Sequence, residues 1–336
     1  MAKNEQIVNG KSEFCCKRAV KMVYFLSTNR IPDLQGEKIM FGRRPDGKRV
    51  KTSDPIVRLT PYIMTRRSDS QVFTTQHIDM EALNGYINQK RQEGVKMSHM
   101  AILVAAWLRA LCEYPQLNRF VIGRQLYSRN EIAVSFVTVK GRGDDIKEAV
   151  CKLYFDPTDT VLQISEKMER AIKKCREAES NSMVNRLACA LLSIPFLTGA
   201  LIGLLKFLDS IGLMPKAIID ASPFHTSLFV TNMASIKMNS VYHHIYDFGS
   251  TSVFLGMGKP GYRIKAWSEE GKVKVEKNMP VGVVVDERIM GGAQFGMVFS
   301  LLNSYLRHPE RLEQPPERVR MESVDFSLKE KYRNKM

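Results

Sequence analysis

Few side chains in this sequence can move a proton near neutral pH, and two of them are adjacent: His243 and His244 in VYHHIYDFG. A neutral imidazole takes and returns a proton in the physiological range, so the pair is a candidate base. A polar turn histidine bonded to backbone is the plainer reading of each. A second candidate is VVVDERIMGG (283–292), where an apolar strand, a charged turn and a helix follow one another in the layout of an active-site turn. Its Glu287 is a weak base at an ordinary carboxylate pKa of about 4.3 and becomes useful only where burial raises it. The alternative is a surface carboxylate paired with Arg288. His77, His99 and His308 read as strand, helix-start and surface residues. No histidine has metal-ligand spacing with another ligand type, and a GxSxG elbow, a Walker loop and a GxGxxG turn after a strand are all absent.

These residues need elements to hold them. VFTTQHI (72–78) alternates like a strand, Asp79 caps a helix running to about Glu93, and Ser98 caps the next. In that second helix Met100, Leu103, Val104, Trp107, Leu108 and Leu111 fall at helical spacing and form a core stripe. The run 119–139 alternates around a Ser-Arg-Asn turn and predicts two paired strands. Asp159 opens a long helix with Val161, Ile164, Met168 and Ile172 on one face. SLFVTN (227–232), STSVFLGMG (250–258) and PVGVVVD (280–286) read as strands, and a helix spans about Gly292 to Arg307. Helices and strands are mixed without the regular alternation of a doubly wound fold.

The chain has 336 residues and a net charge of +15, which favours an anionic partner: a nucleotide-bearing cofactor, an acidic carrier protein, a lipid surface or nucleic acid. The basic residues are dispersed, with no arginine-rich tract or zinc-finger spacing, so nucleic acid is not expected. Six cysteines without a CxxC pair suggest reduced thiols in a cytoplasmic protein. The N-terminus lacks an apolar run suited to export. Residues 1–55 read as a short helix and an extended basic arm, and 321–336 as a basic tail. LACALLSIPFLTGALIGLL (187–205) carries 19 residues without a charge, which reaches membrane-spanning length. Pro195, Gly199 and Gly203 interrupt it and basic residues flank both ends, so buried helices, a surface lying in a lipid interface and a true span all stay open.

Three blocks, in order, carry a resemblance: VFTTQHIDMEALNGYINQKRQEGVKMSHMAILVAAWLRALCEYPQLNRFV, SLFVTNMASIKMNSVYHHIYDFGSTSVFLGMGK and MPVGVVVDERIMGGAQFGMVFSLLNSYLRHPERL. Together they resemble the catalytic core of the chloramphenicol acetyltransferase superfamily, and more closely the acyltransferase core of 2-oxo acid dehydrogenase complexes, over about residues 56–320. The resemblance implies an α/β (α+β) sandwich in which a mixed β-sheet packs with helices. No lipoyl domain or small subunit-binding domain precedes the core, so the chain looks like a stand-alone relative. A transmembrane span at 187–205 would split one sheet across a bilayer, which favours an apolar helical insertion, extended to about 215, that either packs in the core or lines a pocket for an acyl chain.

In this family a histidine in H-x-x-x-D-G is the general base, the aspartate fixes local structure, and a hydroxyl on the facing strand stabilises the oxyanion. The alignment puts Glu287 at the base, Gly291 at the aspartate and Gly292 at the glycine, so the motif is degenerate. Thr231 falls at the oxyanion hydroxyl, where a strand threonine chosen for β-propensity is the alternative. Asn232 follows it and is placed to hold the turn. His243-x-x-x-Asp247 copies the spacing of the missing motif, with Gly249 one position late, and His225 in SPFHTS faces the same region. The resemblance thus implies transfer of an acyl group from a coenzyme A or carrier-protein thioester, with no permanently bound cofactor, in a homotrimer or a multiple of trimers. A degenerate member that binds or scaffolds, and a peripheral membrane protein using 187–205, are the alternatives.

Overall fold

The computed structural model describes residues 44–140, 147–177, 195–267 and 273–323. The expected N-terminal helix and arm, most of the basic tail, Cys15, Cys16 and Cys189, and residues 187–194 of the apolar segment lie outside them. Strand β1 (Gly47–Arg49) and helix α1 (Pro55–Ile63) come first. The alternating run then forms β2 (Gln71–Asp79), and the Asp79 carboxylate accepts the Glu81 N–H at 2.9 Å to start α2 (Met80–Gln92). Ser98 Oγ likewise accepts the Ala101 N–H at 3.1 Å and starts α3 (His99–Glu113), whose predicted stripe is buried throughout.

The run 119–139 departs from the two-strand expectation. It holds β3 (Arg119–Ile122), β4 (Gln125–Arg129) and β5 (Ile132–Lys140), and the hairpin turn is Gly123-Arg124, not Ser-Arg-Asn. Both turn residues have positive φ, 57° and 61°, which suits a two-residue hairpin turn. At the Ser-Arg-Asn turn the chain instead leaves one sheet for another. After β6 (Lys147–Phe155) comes α4 (Val161–Glu177), capped one residue later than expected. Thr160 N–H donates to Gln163 Oε1 at 2.8 Å and Thr160 Oγ1 accepts the Gln163 N–H at 3.4 Å, a reciprocal cap. There follow α5 (Pro195–Ser210), α6 (Lys216–Ala221), β7 (Leu228–Asn232), β8 (Val253–Met257), β9 (Gly261–Trp267), β10 (Val273–Asp286) and α7 (Gly292–Arg307).

A small antiparallel sheet has the order β1-β4-β3, and a seven-stranded mixed sheet runs β2-β10-β8-β7-β5-β6, with β9 paired to β10. The β5–β7 and β7–β8 pairs are parallel and the others antiparallel. Strand alternation assigns each face of this sheet its own contents. Leu228, Val230, Val253, Leu255, Val281 and Val283 enter a core shared with α2, α3, α4 and α7. Phe229, Phe254 and Val284 face the other way and pack with Ile245. Cys151 of β6 and Cys175 of α4 form a disulfide with Cα atoms 6.8 Å apart, so the expectation of reduced thiols fails for this pair. The packing of α4 on β6 brings them together; Cys112 is free and buried.

The second face is covered by a strap, residues 238–249, and two features seat it. Gly256 and Gly282 are register partners on β8 and β10, and a Cβ at either would meet the Val241 carbonyl oxygen, at 2.7 and 2.5 Å. Their lack of side chains opens the groove in which the strap backbone lies. At its far end the strap is held by Arg67, which donates to the carbonyls of Tyr246 at 2.7 Å and Gly249 at 2.9 Å. Arg67 also reaches Val121 O at 3.0 Å and lies 3.7 Å from Asp286. Asp286, 0% exposed, is gripped bidentately by Arg288 at 2.8 and 2.7 Å and accepts from Ser70 Oγ at 2.9 Å. Burial lowers the Arg67 pKa, opposed by the Asp286 charge.

Two stability outcomes follow. Asp286→Asn leaves two buried guanidiniums without their counter-charge and is expected to lower unfolding free energy by about 3–5 kcal/mol, read by urea denaturation. Gly282→Ala forces a methyl group against the Val241 carbonyl and costs about 1–3 kcal/mol by the same measurement. An unchanged midpoint for either variant contradicts the packing described.

Candidate functional site

Thr231 lies on the strap side of β7, two residues beyond Phe229, and is 6% exposed. The parallel β7–β8 register sets Thr231 beside Gly256, and the antiparallel β8–β10 register sets Gly256 beside Gly282. A hydroxyl therefore stands next to the glycine groove. The strap crosses there with burial that alternates residue by residue: Val241, His243 and Ile245 turn inward, while Tyr242, His244 and Tyr246 are exposed. This phase separates the two adjacent histidines.

The His243 ring stacks on Phe254 with centroids 4.5 Å apart, and Phe254 stacks in turn on Phe229 at 4.7 Å. Its Nε2 lies 3.0 Å from Thr231 Oγ1. Burial lowers the His243 pKa below its ordinary 6.5, the neighbouring His244 lowers it further and Glu148 opposes both. The imidazole is thus neutral at pH 7 and carries a lone pair on one ring nitrogen. Tyr242, on the outer side, meets Thr75 Oγ1 through its hydroxyl at 2.5 Å and Phe73 edge-on at 5.6 Å, which fixes the strap beside His243. Asn232 closes β7 half-buried, and its Oδ1 finds no hydrogen-bond partner among the described residues.

The other candidates go elsewhere. Asp247 is exposed and accepts the backbone N–H groups of Arg67 at 3.1 Å and Ser68 at 3.3 Å, so His243-x-x-x-Asp247 forms no dyad. His225 is buried in a separate cluster, with Nδ1 2.8 Å from Ser222 Oγ and Nε2 3.3 Å from Asp209 Oδ2. Burial pushes the Asp209 pKa up, but the His225 hydrogen bond and the Arg44 charge outweigh it and hold the carboxyl below its ordinary value. Glu287 is exposed and touches the fold through its backbone N–H, which donates to Ser70 O at 3.0 Å. Asp286 lies four positions beyond Gly282, roughly 13 Å along the strand, so Glu287 does not meet Thr231 within one chain. Arg288 pairs with Asp286 and donates to Met64 O at 2.9 Å; the alternative pairing with Glu287 does not form. Gly291 is the N-cap of α7 and has open space around it.

The turn therefore keeps its strand–turn–helix shape and lacks side-chain chemistry, while a hydroxyl and an imidazole meet at the other end of the same strands. A cavity of about 270 Å³ lies at the Asp286 end, among Arg67, Asp247, Gly249 and Arg288, whereas the Thr231–His243 pair lies between the strap and the sheet, with Thr231 buried and His243 half-buried. Phe254, Asp286 and Arg67 were not singled out from sequence as site residues. The only signals were the alternate spacing Phe254-x-Gly256 beside Phe229-x-Thr231 and the basic pair Arg66-Arg67. Among the described residues no group of three or more histidine, cysteine or acidic side chains is disposed to hold a metal.

No protein-family model and no curated protein matches the chain. Solved structures do. The cubic core of the pyruvate dehydrogenase multienzyme complex superposes with a TM-score of 0.51 at 14% identity, covering 84% of this chain and 98% of that one. Azotobacter vinelandii dihydrolipoamide acetyltransferase, in a structure addressing the roles of a serine, a histidine and an asparagine in its mechanism, gives 0.51 at 15% identity, covering 77% and 93%. A chloramphenicol acetyltransferase gives 0.47 at 10% identity over 77% of this chain and 99% of that one. The mixed sheet, its helical cover and the two superpositions at 0.51 agree that the chain has the fold of the pyruvate dehydrogenase core and of dihydrolipoamide acetyltransferase.

Proposed function

We propose that the protein is an acyltransferase that moves an acyl group from a coenzyme A or carrier-protein thioester to a thiol, hydroxyl or amine acceptor. The observation that carries this reading is the 3.0 Å contact between His243 Nε2 and Thr231 Oγ1, made by a neutral, half-buried imidazole. In the proposed reaction the acceptor's X–H replaces Thr231 as the partner of Nε2 and gives up its proton there as X attacks the thioester carbonyl. Thr231, released from the imidazole, donates its O–H to the oxygen on which negative charge develops. Collapse of the tetrahedral intermediate breaks the carbon–sulfur bond, and the imidazolium returns the proton to the leaving thiolate. The net charge of +15 suits an anionic donor.

Likeness to the cubic core of a multienzyme complex supports a homotrimer or a multiple of trimers. A second reading also has an observation behind it. With Glu287 exposed and Gly291 bare, the turn corresponding to the family's catalytic motif offers no buried base, as expected of a member that binds thioesters or scaffolds without turning over.

Release of free thiol from a panel of acyl-coenzyme A thioesters separates the two. Turnover is expected, with His243→Ala lowering kcat by about 10²–10⁴-fold and Thr231→Val by about 10²–10³-fold. Glu287→Gln and His244→Gln are expected to leave kcat near wild type. Binding without thiol release supports the scaffold reading; turnover untouched by both His243→Ala and Thr231→Val removes the proposed site.

The same site sets a pH dependence. Because the folded pKa of His243 is depressed, the base stays unprotonated below pH 6.5, and the acid limb of kcat/KM is expected below that value. His244 contributes to the depression, so His244→Gln is expected to move the limb upward, towards 6.5. A limb that does not move between wild type and His244→Gln counts against His243 as the titrating group.

A further inference from the structure

The cavity at the Asp286 end has an unbalanced lining. Five cations border it, Arg66, Arg67, Arg124, Lys206 and Arg288, with two carboxylates, Asp209 and Asp247. Most of these charges are already engaged. Arg67 and Arg288 answer to Asp286, Asp209 to Arg44 and His225, and Asp247 to two backbone N–H groups. That leaves Arg66, Arg124 and Lys206, all exposed and none with an ion pair among the described residues, around one opening of about 270 Å³. Arg124 occupies the second position of the β3–β4 hairpin turn at φ 61°, where an L side chain is strained and glycine or asparagine is usual. Gly123 beside it has no side chain because the Ser210 carbonyl at the end of α5 lies against it, and this close docking brings Lys206 and Arg124 to the same cavity.

Two helices that flank this hairpin carry apolar faces that nothing among the described residues covers. On α5, Leu201, Leu205 and Leu208 turn towards the protein and are half-buried. Its outer side exposes Phe196, Leu204 and Phe207 at 89%, 53% and 59%. On α1, Val57 packs against the small sheet while Ile56, Leu59 and Ile63 are exposed at 72%, 54% and 70%. Tyr62 of α1 accepts from Gln125 Nε2 at 2.8 Å, and Arg124 lines a second cavity shared with α1 as well as the first shared with α5. Large exposed apolar side chains and unopposed cations thus alternate across one region: α1, the hairpin tip and α5. None of the described helices is long and apolar enough to cross a membrane, and α5 has 16 residues.

We propose that this face lies on an anionic lipid surface, with the outer sides of α1 and α5 entering the interface and Arg66, Arg124 and Lys206 taking the phosphate of a lipid headgroup. The two halves support each other physically. Apolar side chains at this density gain by leaving water for the acyl boundary, and the cations between them sit at headgroup depth, where each attracts negative charge. In a two-fold contact a second copy would cover the apolar residues but bring three like charges against three without an anion to separate them, and in a heterologous contact its loss would show as a change in oligomer mass. Acyl transfer plays no part in this inference, and it stands or falls separately.

The test is sedimentation of the full chain with phosphatidylcholine vesicles and with vesicles containing phosphatidylglycerol, at low and high salt. Binding is expected to the anionic vesicles, weakened by salt. Arg124→Ala and Lys206→Ala are each expected to lower the partition coefficient about fivefold. Leu204→Ser combined with Phe207→Ser is expected to abolish binding while leaving thermal unfolding unchanged, since both residues are exposed. Absence of binding to anionic vesicles, or equal binding to both compositions, overturns the proposal. So does a change in oligomer mass by light scattering in the double serine variant with vesicle binding intact, which would assign the face to another copy. Binding of inorganic phosphate at the three cations without any vesicle binding would assign the cavity to a soluble phosphate compound and also overturn it.

Discussion

The fully buried carboxylate of Asp286 is the interaction on which the arrangement of the whole site end depends. It is the last residue of the long interior strand β10 and is held by Arg288 from its own turn, Arg67 from the entry to β2 and Ser70 from the turn that leads into β2. An unpaired ion at 0% exposure is strongly unfavourable, so these groups come as a set or not at all. Arg67 then spends its remaining donors on carbonyls of β3 and the strap, which ties the small sheet, the large sheet and the strap at one point.

That anchor matters because the strap has no strand pairing of its own. It rests on the sheet through the Gly256–Gly282 groove at one end and Arg67 at the other. Between them, the phase of its alternation decides the chemistry. A shift by one residue would put His244 against Thr231 and leave His243 in water. Stacking of His243 on Phe254 and burial of Ile245 hold the observed phase, and the burial that fixes it also keeps the imidazole neutral.

The turn that resembles a catalytic motif and the pair that could perform its chemistry are therefore different places in one chain. The strand–turn–helix layout at 283–292 persists because its backbone is pinned by Asp286 and Ser70, whatever side chains it displays. Glu287, the residue aligned with the base, is exposed between the buried Asp286 and Arg288. Arg288, which reads from the sequence as a surface partner for it, is instead an internal part of the knot. Chemistry that requires a buried, polarised base consequently has support at His243 and none at the turn within a single chain.

What the sequence by itself determined is what depends on neighbours in the chain. The caps at Asp79 and Ser98, the stripe of α3, the strand character of β2, β7 and β8 and the span of α7 follow from side chains acting within a few residues of themselves. The family resemblance marked Thr231, and the spacing to Asp247 marked His243 together with its neighbour His244. The hairpin at Gly123-Arg124 was missed because its turn chemistry is not the common Asn-Gly, and the Thr160–Gln163 cap because Asp159 is the more obvious acid. Only the tertiary structure decided which of two adjacent histidines meets the threonine, where Asp247, His225 and Arg288 spend their hydrogen bonds, and which cations stay without partners. Each of these outcomes is set by the order and register of strands far apart in the chain, β7 beside β8 beside β10, and register between distant segments leaves no local trace in either of them.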